Sequence, residues 1–191
     1  MSDLIKSPRI SIVGKKFKLL AECLDLELTD LESSDISLFL VSAQEGIVSA
    51  DLEKWRLARD LYIPSLVIIC DLTSSEIDFE DMTAIAGKML DSVVTPYLIL
   101  HSDVGEPVAL IDLKTLVVVD YSSGTPVIKE AEPEHVDLVA EFRAEYLEDM
   151  ENAGEDGFAA GLLFPALPWI EGTRMGLDQI ISYLNQVPTI S

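Results

Sequence analysis

Short apolar runs alternate with amphipathic stretches along this chain, and the alternation predicts a mixed α/β fold. Residues 36–41 and 66–70 are nearly continuous apolar runs, which is typical of strands buried on both faces of a parallel sheet. Between them, apolar residues recur every third position from Leu52 to Leu61 and predict a helix with one buried face, and Ser49 is placed to cap it. The unit therefore predicts two parallel strands joined by a crossover helix that packs on the sheet.

The same alternation continues on both sides of this unit. Residues 10–13 predict a short buried strand that ends at Gly14, and a short helical pattern follows the basic residues 15–18. Near the end of the chain, residues 162–164 predict a last strand, and a closing helix starts at about Arg174. A further helix is predicted from apolar positions that share one face: Phe79, Met82, Ile85, Ala86 and Met89.

The pattern changes towards the middle of the chain. Residues 97–100 predict another strand, and two short strands at 108–112 and 116–121 predict a small antiparallel insert. Pro133 suits the first turn of a helix. The exposed side of that helix is strongly acidic, and its buried stripe is predicted to consist of Val136, Val139, Phe142, Tyr146 and Met150.

Composition and charge restrict the possible partners. The 191 residues are 49% hydrophobic and carry a formal net charge of -21. Such a charge repels phosphate backbones, so direct binding to DNA or RNA is not expected, whereas a basic protein partner is compatible with it. The alternative is that the charge only maintains solubility. No apolar run reaches the roughly 20 residues that span a bilayer, so we expect a cytoplasmic protein that does not enter a membrane.

The two cysteines give no sign of redox or metal chemistry. Cys23 and Cys70 both lie in apolar stretches, which favours two reduced, buried thiols over a disulfide. Two histidines and two distant cysteines have no metal-ligand spacing. The many carboxylates could include an acid/base pair, but their spacing is typical of a solvated helix face. We therefore expect no enzyme activity.

Two segments of the chain resemble the G domain of elongation factor G and of the related ribosome-protection GTPases. In the first, a strand ends in Ser42-Ala43, a turn follows at Gly46-Ile47, a helix carries Trp55, and Pro64 precedes the next strand. In the second, residues 164–167 are similar to the closing strand and Ser-Ala-Leu loop of the family, which places Ala166 in that loop, and residues 175–184 are similar to its final helix. Between them, residues 97–126 are similar to the insert subdomain of elongation factor G.

The resemblance implies a P-loop GTPase-like α/β fold, with a mostly parallel sheet, helices on both faces, and a small antiparallel α+β insert. It divides the chain into a first G-like part at residues 1–96, an insert subdomain at 97–157, and a closing strand and helix at 158–191. The first 35 residues are too few for the complete phosphate loop, first switch and second strand of the family.

The phosphate-binding motif of the family is degenerate here. That motif needs a glycine, four residues, and Gly-Lys-Ser/Thr, because backbone N–H groups, a cation and a magnesium-binding hydroxyl must all face the phosphates. Gly14, Lys15 and Lys16 follow the first strand without a second glycine or a hydroxyl. The two lysines could attract an anion as point charges, or they could simply be solvated.

The other nucleotide-binding elements are missing as well. The Asn-Lys-x-Asp motif that reads guanine is replaced by residues 70–73, in which Asp71 is the remaining vestige. The serine of the closing loop is replaced by Pro165. Neither the magnesium-side Asp-x-x-Gly motif nor a histidine that could orient a hydrolytic water is in place, and phosphoryl transfer depends on such groups. We expect neither GTP nor magnesium as a cofactor.

These departures favour a pseudo-GTPase that binds a protein, with a ribosomal or translation-related partner implied by the resemblance. The candidate partner-binding residues are Glu134, Glu141, Glu145, Glu148 and Trp169, although core packing is an alternative for Trp169. A second hypothesis is a divergent GTP-binding factor that holds GTP and magnesium near residues 14–18. A third is the N-terminal portion of a longer factor, whose barrel-like second domain would start near residues 188–191.

Overall fold

The computed structural model describes residues 7–74, 76–90 and 93–188. Its strands are β1 (Ile10–Val13), β2 (Ile36–Ser42), β3 (Ser65–Cys70), β4 (Val93–Val94), β5 (Tyr97–His101), β6 (Pro107–Asp112), β7 (Val117–Asp120), β8 (Val127–Glu130) and β9 (Phe164–Pro168). Its helices are α1 (Phe17–Leu24), α2 (Ser49–Asp60), α3 (Phe79–Leu90), α4 (Pro133–Leu138), α5 (Ala140–Ala153) and α6 (Leu177–Leu184).

A five-stranded parallel sheet in the order β1-β2-β3-β9-β4 forms the main layer. All six residues of β3 are buried, as expected of a strand covered on both faces. Alternate residues of β2 point to opposite sides: Phe39 packs in the same core as Trp55 of α2, whereas Leu38 packs in the same core as Leu20 of α1. The predicted α/β fold with helices on both faces is therefore confirmed.

The helices divide between these two cores. The first core contains Met82 and Ala86 of α3 with the α2 residues, and the Trp55 indole N–H donates a hydrogen bond to the Leu90 carbonyl at the end of α3. The second core contains Leu177 and Ile180 of α6 with the α1 residues. Helices α2 and α3 thus cover one face of the sheet, and α1 and α6 cover the other.

A second sheet in the order β5-β6-β7-β8 is antiparallel throughout. One of its faces packs against α5, through Ile111 and Val118 of the sheet and Tyr146 of the helix. Its other face adds Ile99 and Leu110 to the first core of the main sheet. The second sheet therefore shares apolar packing with the main sheet. The fourth strand of this sheet, β8, was not predicted from the sequence.

Several local expectations are wrong. Ser49 is the first residue of α2 rather than its cap, because Val48 occupies the cap position and no side chain accepts a bond there. The helix predicted after Pro133 is divided at Val139, between α4 and α5. The last strand is β9 rather than residues 162–164.

Some predicted helix faces are only partly covered. Leu61 is 47% exposed, Ile85 37%, Met89 45% and Phe142 44%. Three of these residues belong to α3 and α5, so periodicity overestimated how much neighbouring structure covers these two helices. None of the helices in the described ranges is both long enough and apolar enough to cross a membrane.

Two glycines provide opposite tests of this packing. A Cβ atom at Gly176, where φ is +92°, would lie 1.7 Å from the Pro168 carbonyl oxygen, whereas a Cβ atom at Gly87 in α3 would meet nothing within 4 Å. We predict that Gly176→Ala lowers the free energy of unfolding by on the order of 3 kcal/mol. Gly87→Ala should raise it by about 0.5–1 kcal/mol, because alanine is the better helix former. Urea unfolding followed by circular dichroism measures both, and similar effects at the two sites would contradict the described packing.

Candidate functional site at the carboxyl edge of the main sheet

The carboxyl ends of the parallel strands meet at one edge of the main sheet, where α/β proteins usually bind their ligands. Strand β1 ends at Val13, β2 at Ser42, β3 at Cys70 and β9 at Pro168. The loops that follow bring together four of the candidates from the sequence: Gly14, Lys15 and Lys16 after β1, and Asp71 after β3.

The loop after β1 is too short to surround a phosphate group. It consists of Gly14, Lys15 and Lys16, because α1 begins at Phe17. Gly14 has a φ of +119°, and a Cβ atom there would lie 2.7 Å from the carbonyl oxygen and 2.8 Å from the Cβ atom of Leu40. Glycine is needed here because the loop passes directly over strand β2 and leaves no room for a side chain.

Both lysines of this loop pair with carboxylates from neighbouring loops. The Nζ atom of Lys15 lies 2.6 Å from Oε2 of Glu45, in the turn after β2. The Lys16 ammonium donates a hydrogen bond to Oδ1 of Asp71 and forms an ion pair with it. Each of the two positive charges that could attract an anion therefore has a carboxylate of the chain beside it, in a largely exposed pair for Lys15 and a partly buried one for Lys16.

Asp71 is held in place by several groups. Its backbone has a φ of +63°, a left-handed conformation that aspartate tolerates better than most residues. Burial raises the pKa of this carboxyl, but hydrogen bonds donated by Lys16 and Ser42 outweigh it, so that the net shift is downward. The hydrogen bond to Asp71 raises the pKa of Lys16 in turn. Both partners are thus charged at neutral pH.

The neighbouring thiol is protected from ionisation. Burial raises the pKa of Cys70 to about 12, and the Asp71 carboxylate 3.7 Å from its Sγ atom acts in the same direction. A thiol of this kind is a poor nucleophile at neutral pH. Within residues 7–74, 76–90 and 93–188, no three histidine, cysteine, aspartate or glutamate side chains are grouped so that they could hold a metal ion.

The space between the loops after β1 and β2 is small and acidic. The cavity next to the two lysines measures about 80 Å³, and its lining includes the carboxylates Glu45, Asp51 and Asp71. Ligand pockets in proteins usually measure about 300–1,000 Å³. A second cavity of about 280 Å³ lies on the other side of Asp71, towards Trp169, and Lys16 and Asp71 line it as well. The cavity that both lysines line is therefore too small for a nucleotide by itself.

Two further candidates, Ala166 and Trp169, are buried, although a ligand-binding loop or a partner-binding surface was considered for them. Ala166 lies inside β9, pairs with Val67 and is fully buried, so its placement in a ligand-binding loop is wrong. Trp169 is 2% exposed and packs in the core with α1 and α6, which confirms the core-packing alternative for this residue over a place on the partner-binding surface. The loop at the edge starts only after these residues and closes through a bridge between Ile170 and Met175.

The acidic candidates do lie on the surface. Glu134 is exposed on α4, and Glu141, Glu145 and Glu148 are exposed on α5. Glu145 also lines a groove between α5 and α3, whereas Glu141 and Glu148 do not. Sequence reasoning missed Glu45, which it interpreted only as part of a turn. It lies far from Lys15 along the chain, and no local pattern connects the two residues.

Comparisons with known proteins support the fold and leave the function open. No protein-family model matches the chain, and no curated protein matches it. A crystal structure of a protein from Thermus thermophilus superimposes with a TM-score of 0.68 at 24% sequence identity, covering 83% of this chain and 27% of that one. This chain thus spans only about a quarter of the length of the matched protein. Similarity at this level of identity establishes a shared α/β fold.

Proposed function

We propose that this chain is a non-catalytic, protein-binding module with the fold of a translational GTPase, and that it works in the cytoplasm without a nucleotide. The observation that carries the proposal is the pairing of Lys15 with Glu45 and of Lys16 with Asp71. These carboxylates provide the negative charge beside the lysines that a phosphate group would otherwise have to provide. The resemblance to elongation factor G suggests a ribosomal or translation-related partner.

Electrostatics at the edge oppose nucleotide binding. A triphosphate placed beside the lysines would have to displace Glu45 and Asp71, and would then lie close to both carboxylates and to Asp51. Two like charges about 4 Å apart repel by about 4 kcal/mol at the effective dielectric constant of a protein surface. The short loop supplies no array of backbone N–H donors that could compensate for this repulsion.

Charge also favours the protein-binding part of the proposal. The net charge is -21, and four glutamates that the sequence singled out are exposed on α4 and α5. A surface of this kind attracts a basic protein and accelerates its association. The proposed protein-binding role applies equally to a domain of a longer factor and to a separate protein.

Calorimetry with nucleotides tests the first part of the proposal. We expect no binding heat when GTP or GDP, each with magnesium, is titrated into the protein at millimolar concentration, because carboxylates already pair with the lysines and the cavity that both lysines line is small. Binding in the micromolar range would overturn the proposal and support the alternative of a divergent GTP-binding translation factor.

The Lys16–Asp71 pair has a measurable pH dependence. The folded-state pKa of Asp71 lies below its ordinary value, so the pair stabilises the fold above that value and loses this contribution as the pH falls through the folded-state pKa. We predict that Asp71→Asn, which retains the left-handed backbone, lowers the free energy of unfolding by at most about 1 kcal/mol at pH 7, because Lys16 is partly exposed. The difference from the unchanged protein should shrink as the pH falls below the ordinary pKa of aspartate and vanish below the lowered folded-state pKa of Asp71. A difference that is constant with pH would show that the ion pair does not form.

Pull-down experiments from native cells test the protein-binding part. The variant with Glu141→Gln, Glu145→Gln and Glu148→Gln should retain less of any basic partner than the unchanged protein, since it lacks three exposed negative charges. Circular dichroism should show that folding is unchanged. Equal recovery of the same partners by both proteins would exclude this helix as the binding surface.

A further inference from the structure

Helices α3 and α5 line the two sides of an open groove outside the edge of the main sheet. Each helix contributes a row with the spacing i, i+3, i+4 and i+7, which places the four side chains of a row on one helix face. The cavity between the rows measures about 180 Å³. The α3 row is Glu80, Thr83, Ala84 and Gly87, and the α5 row is Phe142, Glu145, Tyr146 and Asp149.

The floor of the groove is apolar, and small residues keep it open. Val94 is 4% exposed and Leu98 5%, and both line the groove beneath the helices. Ala84 and Gly87 lie on its α3 side, and a Cβ atom at Gly87 would meet nothing within 4 Å. A glycine in the interior of a helix costs about 1 kcal/mol relative to alanine. In this helix the glycine fills no tight contact, and its effect is to leave space in the groove.

The charged side chains on the rim of the groove are acidic. Glu80, Glu145 and Asp149 line it, and no lysine or arginine of the described ranges belongs to the lining. Arg143 of α5 is directed elsewhere, since its Nη2 atom lies 3.4 Å from the Lys114 carbonyl oxygen. Burial raises the pKa of both Glu80 and Asp149, so these carboxylates have lost part of their hydration. A cation in the groove would compensate for that loss.

A buried hydroxyl adds an independent indication of a ligand. Thr83 is 5% exposed and lines the groove between Glu80 and Gly87 of the same helix row. Its Oγ1 atom has no hydrogen-bond partner among the residues that the structure describes. Buried polar side chains are nearly always paired, and a hydroxyl oxygen can accept a bond from an N–H donor.

We propose that this groove binds the side chain of a lysine or arginine presented by an amphipathic segment of a partner protein. This inference rests on the proposed function and specifies where and how the partner is recognised. The aliphatic stem of the side chain packs on Val94, Leu98 and the ring of Phe142, and the cationic head lies between Glu145 and Asp149. Because Oγ1 of Thr83 is covered in the empty groove, a rotation of this side chain brings the hydroxyl to the head, which then donates a hydrogen bond to it.

The size and surroundings of the groove fit this occupant. A cavity of about 180 Å³ suits one long side chain and lies below the size of typical small-molecule sites. Beyond Gly87 and Asp149 the groove continues into a more open hollow of about 490 Å³, which Leu162 borders at 51% exposure. That hollow accepts an apolar neighbour of the basic residue, as expected of an amphipathic segment.

A charge-matched pair of variants tests the groove. The groove variant carries Glu145→Gln and Asp149→Asn, and the control carries Glu141→Gln and Glu148→Gln, which change the charge of the same helix by the same amount outside the groove. The probe is a fluorescently labelled, amidated amphipathic peptide of leucine and lysine, and its affinity is measured by anisotropy at low salt. We expect the groove variant to bind about tenfold more weakly, the effect of losing one desolvated charge pair. The control should change affinity by less than about threefold.

Thr83→Val and Gly87→Leu test the hydroxyl and the space without altering charge. We expect each to weaken peptide binding severalfold, with thermal unfolding confirming that the variants fold. No binding of the peptide to the unchanged protein, or an equal loss in the groove and control variants, would overturn the proposal. An equal loss would leave the broader proposal of an acidic protein-binding module intact, whereas micromolar nucleotide binding would overturn that broader proposal whatever the peptide does.

Discussion

The structure depends on the burial of β2 and β3 on both faces of the main sheet. Nearly every residue of these strands is buried, so apolar surface must be covered above and below at the same time. Helices α2 and α3 cover one side, and α1 and α6 cover the other. Because the strands are parallel, this arrangement also directs all their carboxyl ends to one edge, which is where the charged loops meet.

At that edge, charged side chains of neighbouring loops pair with one another. An open α/β sheet offers an anion site at its carboxyl edge only when cations and N–H donors remain available there. Here Glu45 pairs with Lys15, and Asp71 pairs with Lys16. The loop after β1 lies in close contact with Leu40 of β2. The edge therefore has the strand arrangement at which α/β proteins bind ligands, and its two lysines pair with carboxylates of the chain. The groove between α3 and α5, by contrast, has carboxylates in its lining and no lysine or arginine of the described ranges.

The sequence predicted those elements whose burial is nearly complete, and it failed where burial depends on distant neighbours. Strands β2 and β3 and the faces of α2 around Trp55 follow from continuous or periodic apolar residues. Segment β9 was misplaced because Pro165 and Pro168 resemble loop residues, although both lie in a strand here. The groove was not predictable, since the periodicity of α3 and α5 indicated fully buried faces, and only the three-dimensional gap between them shows that Phe142 stays partly exposed. Ion pairs between residues far apart in the chain leave no local pattern.

The strand order has a consequence for the order in which the protein can assemble. Strand β9 lies between β3 and β4 in the main sheet, yet the whole second sheet and α5 come before it in the chain. During synthesis, one hydrogen-bonding edge of β3 therefore stays open until β9 itself leaves the ribosome. Closing such a distant pairing is slow, because chain entropy is lost before the contact forms. The nascent protein thus carries an open, strongly apolar strand edge while the second sheet and α5 are made, and this interval is the one in which a chaperone would protect it from pairing with other chains.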